Sequence, residues 1–245
     1  MSQNILLSKK DRSAIGEVHL TGSKSECNRA LIIEALSGDK VRVENISDAA
    51  DAVTLSKVLG LTLQTVGYES QPVMHQLEHK VVNIGPAGTA MRFLTAYYTL
   101  QDEEVVLTGS ERMKQRPIGI LVDALRKLGA EISYEEKDGF PPIRIKGNID
   151  QATNSISIKG DISSQYITAL LLIASKLPLG LEIHIEGDLT SRPYVEMTLA
   201  MLEQAGIKHE WNDNIISIAN QEFKETVLPV EPDWRRPVAD PAGGR

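Results

Sequence analysis

The chain has 245 residues, with 26 lysines and arginines against 33 aspartates and glutamates and a formal net charge of −7. This acidic balance argues against a general affinity for nucleic acid or for an anionic membrane, so any anion-binding site must be local. The single cysteine, Cys27, excludes an intrachain disulfide and a cysteine-rich zinc site. The sequence has no signal-like start, and no apolar run approaches the roughly 18 residues of a membrane span. Together these features predict a cytoplasmic protein.

The first part of the chain predicts two strands and then a buried helix. Residues 4–8 form a short predicted strand with no obvious partner, and residues 17–20 form the next strand. The stretch Thr21 to Arg29 combines small residues with two cations and runs into an apolar helix. Free amides of a first helical turn, together with Lys24 and Arg29, favour a phosphate or a carboxylate; an ordinary serine cap with two surface cations is the alternative. A strand at residues 41–45, a helix from about Ala49 to Leu59 and a strand at 61–66 follow, and residues 67–80 give the weakest pattern.

From residue 81 the same order of elements begins again, and it recurs once more from about residue 155. The second pass comprises strands at 81–84 and 105–108, a mostly buried helix at 90–100, a one-sided helix at 118–128 and a hairpin joining 131–134 to 143–146. The third pass comprises a strand at 155–158, a buried helix opened by Ser163, a strand at 182–186, an amphipathic helix at 195–205 and a closing hairpin of 208–211 and 215–218. Arg116-Pro117 and Arg192-Pro193 occupy matching places, which favours a true repeat.

Three copies predict an α/β fold of three βαβαββ repeats about a pseudo-threefold axis. The apolar helices lie inside and the sheets outside, because a helix that is apolar on every face must be enclosed. The helix openings then share one end of the domain, where each helix dipole favours an anion by about 0.3–1 kcal/mol. Arg29 and Arg92, one turn inside two of these helices, add positive charge. In a single helix, such residues would be explained as an ordinary N-terminal cap and an arginine whose charged end reaches solvent. For three aligned openings we favour an anion site. The openings are Ser23 to Ser25, Ala87 to Thr89 and Ser163 to Gln165.

A charged loop at residues 110–117 precedes the surface helix of the second copy. Arg116 is a candidate ligand contact because Pro117 fixes the backbone beside it and a planar guanidinium suits a carboxylate or phosphate. Arg112 is interpreted as an ordinary solvated charge. In the third copy, Tyr194 follows the equivalent turn, where it either presents its hydroxyl to a ligand or packs.

Five strings of the chain resemble, in the same order, the motifs of the 5-enolpyruvylshikimate-3-phosphate synthase family, and they extend from Gly22 to about Tyr194. The resemblance implies a fold of two similar domains, each an inside-out α/β barrel of three βαβαββ units. The strings are Gly22-Ser23-Lys24-Ser25-x-x-Asn28-Arg29-Ala30, Ala87-Gly88-Thr89-Ala90-Met91-Arg92, Arg112-Met113-Lys114-x-Arg116-Pro117-Ile118-Gly119, Ser163-Ser164-Gln165-Tyr166 and Ser191-Arg192-Pro193-Tyr194.

The resemblance further implies transfer of the enolpyruvyl group of phosphoenolpyruvate to the 5-hydroxyl of shikimate-3-phosphate. Phosphate is released through a tetrahedral intermediate, without a metal or organic cofactor. Lys24 would contact both substrates and take part in proton transfer. Shikimate-3-phosphate would be held by Ser25, Arg29, Ser163, Ser164, Gln165, Ser191 and Tyr194; phosphoenolpyruvate would be held by Gly88, Arg92 and Arg116, with Thr89 in the same substrate-binding set and Gln165 near both ligands.

Two features depart from the family pattern. Pro86 stands where the family usually has asparagine, which removes an amide side chain and a backbone donor near the phosphoenolpyruvate site. The chain also stops after roughly one domain, so the acidic catalytic residues of a second domain are absent. We expect residues 1–16 to belong to that missing domain, residues 17–227 to form the threefold-repeat substrate-binding domain, and residues 228–245 to hold a crossover remnant and an unrelated end. This end, from residue 235, suits an appended tail, a frameshift or a linker.

The expected behaviour is therefore that of half an active site. The chain should bind shikimate-3-phosphate without turnover, either as a monomer or packed against the missing domain. One alternative is the sister transferase acting on UDP-N-acetylglucosamine, whose usual Gly-Ala-Lys-Asn opening and loop cysteine are not present here. The other is a non-catalytic module that only binds anions.

Overall fold

The structure is a computed structural model that describes residues 20–61 and 80–233. Both helices and strands are present in each of these ranges. The helices are α1 (Lys24–Ser37), α2 (Ala50–Val58), α3 (Gly88–Tyr98), α4 (Glu111–Lys114), α5 (Gly119–Leu128), α6 (Ser164–Ala174) and α7 (Arg192–Gln204). The strands are β1 (Val41–Glu44), β2 (Lys80–Asn83), β3 (Glu104–Thr108), β4 (Glu131–Tyr134), β5 (Ile143–Lys146), β6 (Ser155–Lys159), β7 (Leu181–Glu186), β8 (Glu210–Asn212), β9 (Ile215–Ile218) and β10 (Thr226–Pro229).

Helices α1, α3 and α6 form the centre of the domain and pack on one another. Most residues of each helix are buried, and consecutive side chains such as Leu31, Ile32 and Ile33 are all fully buried. A helix with no polar face gains most by complete enclosure, since each large aliphatic side chain that leaves water contributes about 1.5–3 kcal/mol. This arrangement confirms the predicted fold with helices inside and sheets outside.

Two four-stranded sheets cover this core and share one topology. Their strand orders are β2-β3-β5-β4 and β6-β7-β9-β8. In each sheet the first pair is parallel and the other two pairs are antiparallel. The strands alternate as half-buried strands should, with Ile156 and Ile158 of β6 facing the core and Ser157 exposed. The two sheets therefore confirm that the second and third copies are repeats of one unit.

Elements α1, β1 and α2 belong to the first copy. The predicted strand at residues 4–8 lies outside the described residues, as do 17–19 of the strand predicted at 17–20, 62–66 of the strand predicted at 61–66, and 67–79 of the weak segment 67–80. Strand β10, which we did not predict, pairs in parallel with β1 and places Thr226 opposite Val41. It runs across residue 227, where we predicted a domain boundary. The division into domains stays a prediction.

The segment after β10 lies against the segment that leads into α1. The amide of Ser23 donates to the Glu231 carbonyl at 2.7 Å, and the amide of Asp233 donates to the Thr21 carbonyl at 2.8 Å. Gly22 lies between them, and a Cβ there would be 2.0 Å from the Asn45 carbonyl oxygen. Only glycine fits this close approach of two backbones, which explains the glycine of the opening motif.

Two further differences concern element boundaries. Helix α7 begins at Arg192, three residues before the predicted start at Val195. The charged loop at residues 110–117 contains a one-turn helix, α4, whose N-cap Ser110 accepts a hydrogen bond from the Met113 amide. Met113 is buried and anchors this turn to the core. The serine cap and the buried Met113 side chain both help to order this short charged segment.

Candidate active site

A cleft of about 410 Å³ opens where α1, α3 and α6 begin. It joins parts of all three copies, as predicted from the aligned helix openings. Most of its lining atoms belong to polar or charged residues, which suits a small polar ligand rather than an apolar one. The lining residues are Lys24, Asp51, Pro86, Gly88, Thr89, Ser110, Arg112, Met113, Arg116 and Gln165.

The helix openings leave backbone donors available to a ligand. In the part of the chain that the structure describes, no side chain caps α1 or α3, whereas the Ser163 side chain caps α6 by accepting from the Gln165 amide at 3.4 Å. The first amides of a helix have no partner within the helix, and they carry the positive end of its dipole. Among these three helices, an ordinary side-chain cap is therefore present in α6 alone. The first backbone amides of α1 and α3 can donate to an anion.

Lys24 reaches the cleft from the first position of α1. Its Nζ lies 3.4 Å from Oδ2 of Asp51, whose side chain is half-buried in the first turn of α2. We did not predict Asp51 as a site residue. The acidic residue at the start of a predicted helix was visible in the sequence, but only the packing of α1 against α2 reveals its partner.

Arg116 and Arg112 supply two more cations to the cleft. Arg116 lies directly over the start of α3, since a Cβ on Gly88 would be only 1.8 Å from Nη1 of Arg116. Glycine at position 88 therefore leaves the space that the guanidinium occupies. Arg112 is exposed as we expected, but it also lines the cleft, which we did not predict.

Gln165 connects two of the helix openings. Its Nε2 donates to Oγ1 of Thr89 at 3.2 Å, from the first turn of α6 to the first turn of α3. Both residues were predicted to bind substrate, and the structure brings them together. Pro86, the departure from the family pattern, lines the cleft beside them.

Arg29 lies below the surface rather than in the cleft, with 3 % of its area exposed. Its Nε donates to Thr198 Oγ1 at 2.8 Å, and its other nitrogens contact the carbonyls of Ser25 and Tyr194 and the hydroxyl of Thr168. Its guanidinium also lies 5.8 Å from the centre of the Tyr194 ring. Burial lowers the pKa of Arg29 to about 10. Its hydrogen-bond partners are all neutral oxygens, so the charge is one that a nearby anion would stabilise.

Arg92 occupies a similar position one turn inside α3. Only 4 % of its area is exposed, and its Nη1 donates to the Gly88 carbonyl at 3.0 Å while Nη2 donates to the Pro117 carbonyl at 3.0 Å. Burial, followed by the positive charge of Arg116, lowers the pKa of Arg92. The structure thus uses this guanidinium to hold backbone, and direct contact between Arg92 and a ligand stays a prediction.

The remaining predicted residues lie at the starts of α6 and α7 and are not among the residues that line the cleft. Ser163 is exposed and Ser164 is buried at the start of α6. Ser191 precedes α7, and Tyr194 is exposed in its first turn, with its ring beside Arg29. Ser25, Arg29 and Tyr194 therefore form one group, whereas Lys24, Thr89, Gln165 and Arg116 form another in the cleft.

Positive charge dominates the cleft although the chain is acidic overall. Among the described residues that line the cleft, Lys24, Arg112 and Arg116 are cations and Asp51 alone carries a carboxylate. Within residues 20–61 and 80–233, no group of three or more histidine, cysteine, aspartate or glutamate side chains is arranged to hold a metal ion. The same residues include no helix with the length and apolarity needed to cross a membrane.

The fold and the cleft define a class of protein: an α/β domain of internal repeats whose buried helices begin at a cleft lined by cations. The model of the EPSP synthase (3-phosphoshikimate 1-carboxyvinyltransferase) family matches residues 9–236. The chain therefore belongs to the EPSP synthase family.

Comparisons with individual proteins agree with this assignment. The chain is 44% identical over 219 residues to a 3-phosphoshikimate 1-carboxyvinyltransferase of Bacteroides fragilis, with 89% of this chain and 49% of the relative covered. It is 38% identical over 234 residues to the protein of that name from Vibrio cholerae, with coverage of 91% and 52%. The solved structure of EPSP synthase from Acinetobacter baumannii shares the fold, with a TM-score of 0.68 at 20% identity over 89% of this chain and 50% of that one. The chain thus spans about half the length of the relatives it matches.

Proposed function

We propose that this chain forms the half of a 3-phosphoshikimate 1-carboxyvinyltransferase site that binds shikimate-3-phosphate beside phosphoenolpyruvate. The enolpyruvyl group passes to the 5-hydroxyl of shikimate-3-phosphate, and phosphate leaves, once acidic groups from a second domain complete the site. The observation that carries the proposal is the cationic cleft at three helix openings in a chain of net charge −7.

The proposed roles of the residues are those that the resemblance to the family implies. Lys24 contacts both ligands and takes part in proton transfer. Ser25, Arg29, Ser163, Ser164, Gln165, Ser191 and Tyr194 hold shikimate-3-phosphate. Gly88, Thr89, Arg92 and Arg116 hold phosphoenolpyruvate, with Gln165 near both. A cytoplasmic location, and a monomeric state or packing against a second domain, remain predictions from the sequence.

The chemistry explains why such a site needs this charge. Two phosphate-bearing anions repel each other, so bringing their reacting atoms together requires fixed cations and backbone donors. An exposed, planar guanidinium such as that of Arg116 can make paired hydrogen bonds with a carboxylate or phosphate. A flexible lysine at a helix opening, such as Lys24, is suited to reach either ligand.

Calorimetric titration tests the substrate assignment. We expect heat from shikimate-3-phosphate and none from UDP-N-acetylglucosamine. Lys24→Met should remove the heat, whereas Lys127→Met, on the exposed side of α5, should leave it unchanged. Heat from the sugar nucleotide alone would overturn the assignment in favour of the sister transferase.

A second measurement tests the claim that the site is half of a larger one. With both substrates present, the chain alone should release no inorganic phosphate above the buffer rate. Sustained phosphate release that is lost in Lys24→Met would show that this chain is catalytically complete, and the proposal of a half site would be abandoned.

A further inference from the structure

The backbone carbonyl of Pro117 receives two hydrogen bonds from different helices. The Tyr166 hydroxyl of α6 donates to it at 2.9 Å, and Arg92 Nη2 of α3 donates to it at 3.0 Å. Proline has no amide hydrogen, so the carbonyl is the only backbone group through which Pro117 can be held. The two donors therefore fix the turn that follows Arg116.

On its other sides the turn is anchored by backbone hydrogen bonds, together with the buried Met113 side chain and an ion pair between Lys114 and Glu136. The Ser110 amide donates to the Gly85 carbonyl at 3.0 Å, the Arg116 amide to the Met113 carbonyl at 3.0 Å and the Ile118 amide to the Gly139 carbonyl at 2.8 Å. None of these contacts reaches α6. Tyr166 is thus the residue whose hydrogen bond joins the Arg116 turn to the helix that opens with Ser164 and Gln165.

The position of the Tyr166 hydroxyl is itself well defined. Only 6 % of the residue is exposed, and the Arg92 guanidinium lies 6.0 Å from the centre of its ring. A buried ring held on one face by a cation has little rotational freedom. Its hydroxyl therefore acts as a fixed point for the Pro117 carbonyl.

We infer that Tyr166 is a positioning residue for Arg116. Its hydroxyl, together with Arg92, holds the Arg116 turn at a set distance from the opening of α6. A ligand bound to Arg116 is thereby held at a fixed position relative to a ligand bound to Ser163 to Gln165. The part of this inference that concerns ligands rests on the proposed function, whereas the clamp on the turn does not.

The test compares Tyr166→Phe with Tyr97→Phe, which makes the same chemical change in a half-buried tyrosine near the far end of α3. Hydrogen exchange of the amides of residues 110–116 and 118 reports the clamp directly. Loss of one neutral hydrogen bond should speed their exchange about fivefold in Tyr166→Phe and leave it unchanged in Tyr97→Phe. Equal exchange in the two variants would overturn the inference.

Ligand titration supplies the readout that a merely structural role would not move. Phosphoenolpyruvate, titrated in the presence of shikimate-3-phosphate, should bind about fivefold more weakly to Tyr166→Phe, and shikimate-3-phosphate alone should bind as it does to the parent chain. An equal loss of affinity for both ligands would overturn the positioning role. If the parent chain binds neither ligand while Tyr166→Phe still loosens residues 110–118, the clamp is supported and the proposed function fails.

Discussion

Alanine at position 88 tests whether the placement of Arg116 controls the binding of the smaller ligand. The new methyl carbon would lie 1.8 Å from Nη1, 2.7 Å from Cζ and 3.0 Å from Nη2 of Arg116. All three atoms belong to the end of a flexible, exposed side chain, so the guanidinium can retreat without disturbing the core. Reaching an ordinary contact of about 3.4 Å requires Nη1 to move by about 1.6 Å.

A displacement of this size should break the contacts of Arg116 with a bound phosphate or carboxylate. Charged hydrogen bonds contribute about 1.5–3 kcal/mol, which corresponds to a loss of about ten- to a hundredfold in affinity for phosphoenolpyruvate. Stability should not fall, because replacing glycine by alanine in a helix is neutral or favourable by up to about 1 kcal/mol.

The assay is titration of phosphoenolpyruvate in the presence of shikimate-3-phosphate, with urea unfolding to follow stability. Gly119→Ala is the matched control, because Gly119 is the first residue of α5 and a Cβ there would come no closer than 3.4 Å to a neighbour. The control should retain full affinity. If Gly88→Ala binds phosphoenolpyruvate as tightly as the parent chain while Arg116→Ala does not, then the position of the guanidinium over Gly88 is irrelevant to binding and the argument is refuted.

Three further changes have expected outcomes. Asp51→Asn removes the carboxylate that pairs with Lys24, so shikimate-3-phosphate should bind about two- to fivefold more tightly in low salt, and titration in high salt should abolish the gain. Arg29→Ala removes a buried guanidinium with four oxygen partners, so the free energy of unfolding measured in urea should fall by about 2–4 kcal/mol along with the loss of shikimate-3-phosphate binding. Cys27 is fully buried and burial raises the pKa of its thiol to about 11, so a thiol reagent at pH 8 should label it only after unfolding. Because the folded chain keeps a proton on Cys27 that the unfolded chain releases, this thiol should lower stability as the pH rises from 9.0 toward about 11, and Cys27→Ala should make the fall in stability over that range smaller.

Each of these predictions has a control and a contrary result. Asp48→Asn, which alters an exposed carboxylate near α2 without touching Lys24, should leave affinity unchanged; a gain as large as that of Asp51→Asn would refute the pairing argument. Arg192→Ala, at an exposed arginine, should lower the free energy of unfolding by less than about 1 kcal/mol. An equally small loss for Arg29→Ala would contradict the stabilising role of the buried Arg29 guanidinium. Rapid labelling of Cys27 in the folded chain would contradict its burial.

Local sequence patterns predict most of the fold because they determine the elements directly. The hairpin of β4 and β5 has the residue bounds expected from its alternating pattern, and α5 ends where the apolar spacing stops at Leu128. The repeat strengthens these assignments, since two copies follow one strand order. Periodicity predicts such elements well because burial of one face is a local requirement.

The pairing of β1 with β10 could not be predicted in this way. The two strands are four residues long and lie more than 180 positions apart in the chain. A parallel pair of short strands has no turn signal, and its register depends on how the rest of the domain brings the strands together. The ion pair between Lys24 and Asp51 has the same origin, because it depends on the packing of two helices.

The two arginines of the buried helices show a different limit. The sequence places Arg29 and Arg92 one turn inside α1 and α3, and we expected both to reach a ligand. In the structure each guanidinium donates to the carbonyl four residues earlier, Ser25 or Gly88, and to groups of neighbouring elements. Hydroxyls at Thr168 and Thr198, on the buried faces of α6 and α7, were the available sign that a buried donor lies nearby. Charge alone does not reveal which way an arginine points.

The backbone contacts between Thr21 and Asp233 hold the first and last described segments of the domain side by side. Its first and last described segments are joined by hydrogen bonds at 2.7 Å and 2.8 Å beside the start of α1. A short linker between these two points, with new chain ends opened at the exposed turn around Asp138, would keep every sheet and all three central helices intact. The packing of the repeats therefore does not depend on their order along the chain. Circular permutants of this domain should fold and form the same cleft.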